Sequence, residues 1–108
     1  MDAKENIKTL KDMVHKMVLE RDWHIGENPK DMSMSIAIEA AELMEIFQWK
    51  NGEQSSNIAN TEEFSHMKEE LADVMIYCIR LANMLEIDIY DMIADKIKKN
   101  GIKHPAKY

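Results

Sequence analysis

Backbone punctuation is scarce in this chain: three glycines and two prolines in 108 residues. Between them the apolar residues recur at three- and four-residue steps, with no sustained alternation. That spacing lines one face of an α-helix, whereas a half-buried strand needs a period of two. The reading is all-α, a four-helix bundle in which short connections make successive helices antiparallel. The first helix spans about Ala3 to Arg21, with Ile7, Leu10, Val14, Met17 and Val18 on its apolar stripe. Gly26 and Asn28–Pro29 mark a turn between His24 and Lys30, and Asp31 offers a side-chain oxygen to cap a second helix.

That second helix, Met32 to Phe47, is apolar on nearly every side and should sit centrally. Asn51–Gly52 ends it, and the polar run through Asn60 reads as an exposed connection. Asn60 and Glu63 form a capping-box pattern for a third helix that runs to about Leu85. Its stripe is Phe64, Met67, Leu71, Val74, Cys78, Leu81 and Leu85. Asp88 caps a fourth helix through Lys99, which Asn100–Gly101 closes with a left-handed residue. Ile102 to Tyr108 form a short basic tail.

The length suits one domain, residues 1–108. So small a core leaves apolar surface that self-association can cover. Core filling is the plainer reading of the ten Met residues, and an interface the second. A net charge of −6 argues against nucleic acid as partner, because phosphate binding needs clustered Lys and Arg. The one cysteine, Cys78, reads as a buried, reduced thiol. No long apolar run marks a membrane span or signal peptide, which points to the cytoplasm.

Glu39 and Glu42 stand three residues apart on the second helix, and Glu70 and Asp73 repeat the spacing on the third. Each pair shares a helical face. Ile38, Ala40, Ala41 and Leu43 flank the first pair; Leu71, Ala72 and Val74 flank the second. Like charges in such surroundings repel, and desolvation adds several kcal/mol for each uncompensated ion. Bases are few: Lys68 and Arg80 on the third helix, and none between Met32 and Lys50 on the second. A hard divalent cation resolves the conflict, and Mg²⁺ suits a site completed by phosphates. The plainer reading is of ordinary charged helix positions facing water.

Glu39-Ala-Ala-Glu42 followed by Glu70-Leu-Ala-Asp73 resembles the ExxE…ExxD signature of the MazG-like all-α nucleoside triphosphate pyrophosphohydrolases. Glu42-Leu-Met-Glu45-Ile-Phe-Gln-Trp49, Glu69 to Tyr77 and Glu20-Arg-Asp-Trp23 ahead of Pro29 resemble its dCTP pyrophosphatase branch in particular. Lys96-Ile-Lys-Lys-Asn100 with Pro105 is similar to the family's ending, so the likeness covers nearly the whole chain. It implies a MazG-type fold, a dimer or tetramer, and hydrolysis of a nucleoside triphosphate to monophosphate and pyrophosphate. dCTP or a modified cytidine nucleotide is the implied substrate, and clearing of the nucleotide pool the purpose. By the same resemblance Glu39, Glu42, Glu70 and Asp73 hold Mg²⁺, and Glu39 orients or deprotonates the attacking water. Trp23, Trp49 and Tyr77 offer surfaces to the base, and Lys96 and Asn100 contact phosphate or sugar.

Packing accounts for the aromatics equally well, and helix termination for Lys96 and Asn100. In an antiparallel pair Trp49 and Tyr77 extend to opposite sides of the acids, which calls for a pocket shared with a neighbouring chain or a purely structural Tyr77. Two other function classes compete. A di-iron carboxylate bundle has one of its motifs in Glu63-Phe-Ser-His66 and lacks the second. A non-enzymatic helical interaction module explains the amphipathic helices but not the paired acids.

Overall fold

Residues 4–108 are described by the computed structural model. Five α-helices and one 3₁₀ turn follow one another: α1 (Lys4–Glu20), α2 (Pro29–Phe47), α3 (Gly52–Ser56), the turn Ile58–Asn60, α4 (Phe64–Met84) and α5 (Ile89–Lys103). The expected start of the first helix at Ala3 lies outside the described residues. The all-α reading holds, with one helix more than the four expected.

Local chemistry explains the differences at the boundaries. The cap of α2 is Asn28, whose side chain accepts from the Asp31 backbone N–H, with Pro29 in the first turn. Asp31 is thus the capped residue, and the fixed φ of Pro29 begins the helix three residues earlier than expected. The connection after α2 is ordered. Asn51 and Gln54 form a reciprocal capping box that nucleates α3, and Ile58 in the 3₁₀ turn is buried. The predicted Asn60–Glu63 box is absent: Glu63 occupies the cap of α4 without a side-chain cap bond and pairs with Lys50 at 2.8 Å. Asp88 caps α5 as expected. Asn100–Gly101 does not end that helix, which continues to Lys103 with the His104 N–H on the Asn100 carbonyl.

Left-handed C-caps occur instead at two non-glycine residues. Asp22 (φ 56°) follows α1, with Asp22 N–H on Leu19 O and Trp23 N–H on Val18 O. Glu86 (φ 55°) follows α4, with Glu86 N–H on Asn83 O and Ile87 N–H on Ala82 O. Both are Schellman motifs.

Three cross-helix pairings fix the direction of α2 against α4. Glu27, just before α2, meets Arg80; Glu39 meets Glu70 and Asp73; Lys50, just after α2, meets Glu63. Numbers rise along one helix as they fall along the other, so the helices are antiparallel. This pair is the main packing unit, with α1 also on α4 and α5 resting lightly on α1.

Val14, Val18, Met32, Ile58 and Ala82 are the buried core among the described residues. The radius of gyration, 16.6 Å, exceeds the roughly 13 Å of a closed 100-residue domain. Helix α2 is therefore not enclosed: Met34, Ile38 and Met44 are exposed. Met13, Met75 and Met92 are exposed too, which reverses the core-filling reading for half of the ten methionines. Cys78 is exposed, not buried. Leu71 and Leu85, placed on the core stripe of the third helix, are also open to solvent.

Candidate metal centre

Antiparallel packing brings the middle of α2 against the first half of α4. Glu39, Glu70 and Asp73, each half-buried, offer carboxylate oxygens that all lie within 4.8 Å of one another. Glu42 falls outside that group but acts on it. Burial raises the pKa of Glu39 above its ordinary 4.5, followed by the charge of Glu42 and a side-chain hydrogen bond with it, then the charges of Asp73 and Glu70. In these same residues, Oε2 of Glu39 and Oε2 of Glu70 are buried without a hydrogen-bond partner.

Nearby bases do not relieve this repulsion. Lys68 lies over the Phe64 ring at 4.7 Å, Arg80 is bound to Glu27, and Lys50 to Glu63. Among the described residues, His66 reaches the group, with Nε2 3.1 Å from Glu70 Oε1. Orphaned, converging carboxylate oxygens fit a hard divalent cation, which takes oxygen ligands and supplies the missing positive charge. Sequence reasoning missed His66 as a partner of Glu70, although its position four residues earlier puts it on the same helical face. The Glu63–His66 spacing of the competing di-iron reading is divided in the structure, with Glu63 on Lys50 and His66 on Glu70.

The aromatic candidates divide between two ends of the helix pair. Trp23, 48% exposed, has Arg21 and Arg80 guanidinium groups 5.7 and 5.5 Å from its ring. Tyr77 is half-buried, with Arg80 at 5.2 Å. Trp49 sits past the last turn of α2 at the opposite end, 88% exposed. Neither tryptophan is a core anchor. Lys96 and Asn100 are exposed on α5, whose main neighbour is α1 and not α2.

A larger cavity, about 630 Å³, lies away from the acids between α1 and the start of α5. Its cations are engaged, Lys8 with Asp12 and Lys11 with the Ile87 carbonyl. It is no ready cradle for phosphate.

A family model described as MazG-like matches residues 34–108, a span that carries both carboxylate pairs. The chain belongs to the MazG-like family. Human dCTP pyrophosphatase 1 is 34% identical over 88 residues, 81% of this chain and 52% of the human protein. The bovine protein of that name is 32% identical over the same share. The chain thus spans about half the length of the curated relatives it matches. A pyrophosphatase from Archaeoglobus fulgidus superposes with a TM-score of 0.82 at 33% identity, covering 92% of both chains. The fold expected from the MazG-like signature is therefore the fold found.

Proposed function

We propose that this chain, a single domain over residues 1–108, hydrolyses a nucleoside triphosphate to the monophosphate and pyrophosphate. The observation that carries the reading is the convergence of Glu39, Glu70 and Asp73 within 4.8 Å, with two buried oxygens left unpartnered. MazG-like membership and relatives named dCTP pyrophosphatase and pyrophosphatase support it. The substrate we propose is dCTP or a modified cytidine nucleotide, and the role is clearing the nucleotide pool in the cytoplasm.

Glu39, Glu42, Glu70 and Asp73 would hold Mg²⁺, which when bound stabilises negative charge on the phosphate oxygens. Glu39 is the residue that orients the attacking water and accepts its proton. The acids that raise its pKa also make its carboxylate a stronger base once ionised. As the water oxygen bonds to the α-phosphorus, the bridging bond to the β-phosphate breaks and pyrophosphate leaves with its electron pair. His66 holds Glu70 in place from the open side.

Trp23 and Tyr77 offer faces to the base at one end of the α2–α4 pair. Trp49 lies at the other end, and Lys96 and Asn100 on the lightly packed α5. A nucleotide that meets all of them draws some from a neighbouring copy. The exposed apolar residues of α2 and α5, among them Ile38, Met44, Ile93 and Ile97, supply the surface for the dimer or tetramer this requires. An interaction module with no chemistry gives the acids no task.

The test is chromatographic product identification from a panel of canonical and modified triphosphates, with and without Mg²⁺. Monophosphate plus pyrophosphate, formed only with metal and fastest from cytidine deoxynucleotides, is the expected result. Release of orthophosphate, or no turnover of any triphosphate, overturns the reading.

A further inference from the structure

Among the described residues, Arg80 is the most enclosed charged side chain in an ion pair, with 10% of its side chain exposed. It stands three residues beyond Tyr77 and seven beyond Asp73, so all three share one face of α4. Its guanidinium lies 5.5 Å from the Trp23 ring and 5.2 Å from the Tyr77 ring. One Nη donates to Glu27 Oε2 at 3.1 Å, while Nε is buried without a partner. A cavity of about 40 Å³, with room for a water, adjoins it and is lined by His15, Glu27 and Asn83 among others.

Two of these contacts, with Trp23 and Glu27, converge on one segment. Residues 21–28 join α1 to α2, and the backbone bends at Asp22 (φ 56°) and Gly26 (φ 79°). The Schellman motif fixes where the Trp23 backbone leaves α1, but not where its indole points. Arg80 supplies that restraint from α4, holding Trp23 by its ring and the far side of the turn by Glu27. A guanidinium suits both tasks, since it stacks on an aromatic face and still donates in its own plane.

We propose that Arg80 is a positioning residue that clamps the Trp23 turn onto α4, setting the indole at a fixed distance from the acids for nucleotide binding. The functional half of this inference rests on the triphosphate reading above. Arg80 does not touch the reacting atoms; it prearranges Trp23, so its loss weakens binding and spares the chemical step.

Arg80→Met keeps the apolar stem and removes the cation. Its KM should rise about five- to tenfold, the scale of one lost cation–π and ion-pair restraint, with kcat within about twofold. Arg80→Lys should recover part of the loss. A separate Trp49→Phe background leaves Trp23 as the sole tryptophan, and there Arg80→Met should shift Trp23 emission and raise its quenching by acrylamide. If the unpaired Glu27 prevents folding, Glu27→Gln/Arg80→Met removes both charges and serves in the same measurements. Unchanged Trp23 emission and quenching overturns the clamp, as does a fall in kcat at constant KM. A wild-type chain that hydrolyses no triphosphate, with Trp23 still freed by Arg80→Met, removes the functional reading and leaves the clamp standing.

Discussion

Replacing Glu39 with Gln should stabilise the metal-free protein while disabling it. Glu39 faces Glu70 and Asp73 with oxygens within 4.8 Å, and full charges at that separation repel by about 3.5 kcal/mol at an effective dielectric of 20. In bulk water the figure is about 0.9 kcal/mol. The site is half-buried, so solvent screening reduces the recoverable energy to about 1 to 2 kcal/mol. For a chain of this length that is a rise in Tm of about 4 to 9 °C. The assay is thermal unfolding by circular dichroism in EDTA at fixed protein concentration, because self-association, where it occurs, makes Tm depend on concentration.

The pH dependence gives the same experiment a second readout. Folded Glu39 holds its proton above the ordinary 4.5, so near that pH the folded state binds more protons than the unfolded one. Its contribution to stability is present below 4.5 and is lost as pH rises through the raised value. Glu39→Gln removes that part of the slope, and the gap between variant and wild type widens on going from acid to neutral pH. Mg²⁺ at a hundred times its Kd should stabilise the wild type by about 2.7 kcal/mol and the variant by much less. A Glu39→Gln protein that melts at or below the wild-type temperature in EDTA at neutral pH, with an unchanged pH slope, refutes the argument that these acids repel across a desolvated gap.

Asp73→Asn and Glu42→Gln should each reduce kcat/KM about a hundredfold or more with far-ultraviolet circular dichroism unchanged; full turnover in both variants removes the site assignment. Glu86→Gly relieves a left-handed non-glycine cap and should raise stability by about 0.5 to 1 kcal/mol after the glycine's extra unfolded-state entropy, measured by urea unfolding. Ile97→Lys, on an exposed apolar position of α5, should shift the protein to a smaller species in sedimentation velocity; an unchanged sedimentation coefficient excludes that face from the assembly.

How much of this was legible in the sequence follows from the range of the interactions involved. The helix positions and the pairing of the acids rest on i, i+3 and i, i+4 spacing, which a sequence displays directly. Caps were less legible, because several side chains compete for one set of backbone donors. Asn28 and Asp31 both have the right chemistry, and the fixed φ of Pro29 selects the first. A left-handed residue was placed at Asn100–Gly101 because glycine is the usual occupant, whereas the Schellman hydrogen bonds put Asp22 and Glu86 in that conformation. Exposure was misread for Cys78, Leu71 and the methionines, since an apolar stripe does not tell whether its cover comes from its own chain. Arg80 was noticed only as a base near the acids; its actual partners, Glu27 and Trp23, are more than fifty residues away in sequence.

The antiparallel register decides how such a site can be built. Because α2 and α4 cross at the acids, each helix carries its other chemistry away from that level in opposite directions. Trp23 and Tyr77 are gathered at the Arg80 end, while Trp49 projects beside the Lys50–Glu63 pair. Asp73 to Arg80 is about 10.5 Å along the helix axis, comparable to the reach of a triphosphate from metal to base. One chain can therefore hold the acids and one aromatic platform, but its second platform lies on the wrong side. A second copy, docked through the apolar faces that a single chain leaves uncovered, can return a Trp49 to the Trp23 side. Breaking the assembly should impair nucleotide binding even when all four acids are intact, and a monomeric Ile97→Lys variant with wild-type KM would show that one chain suffices.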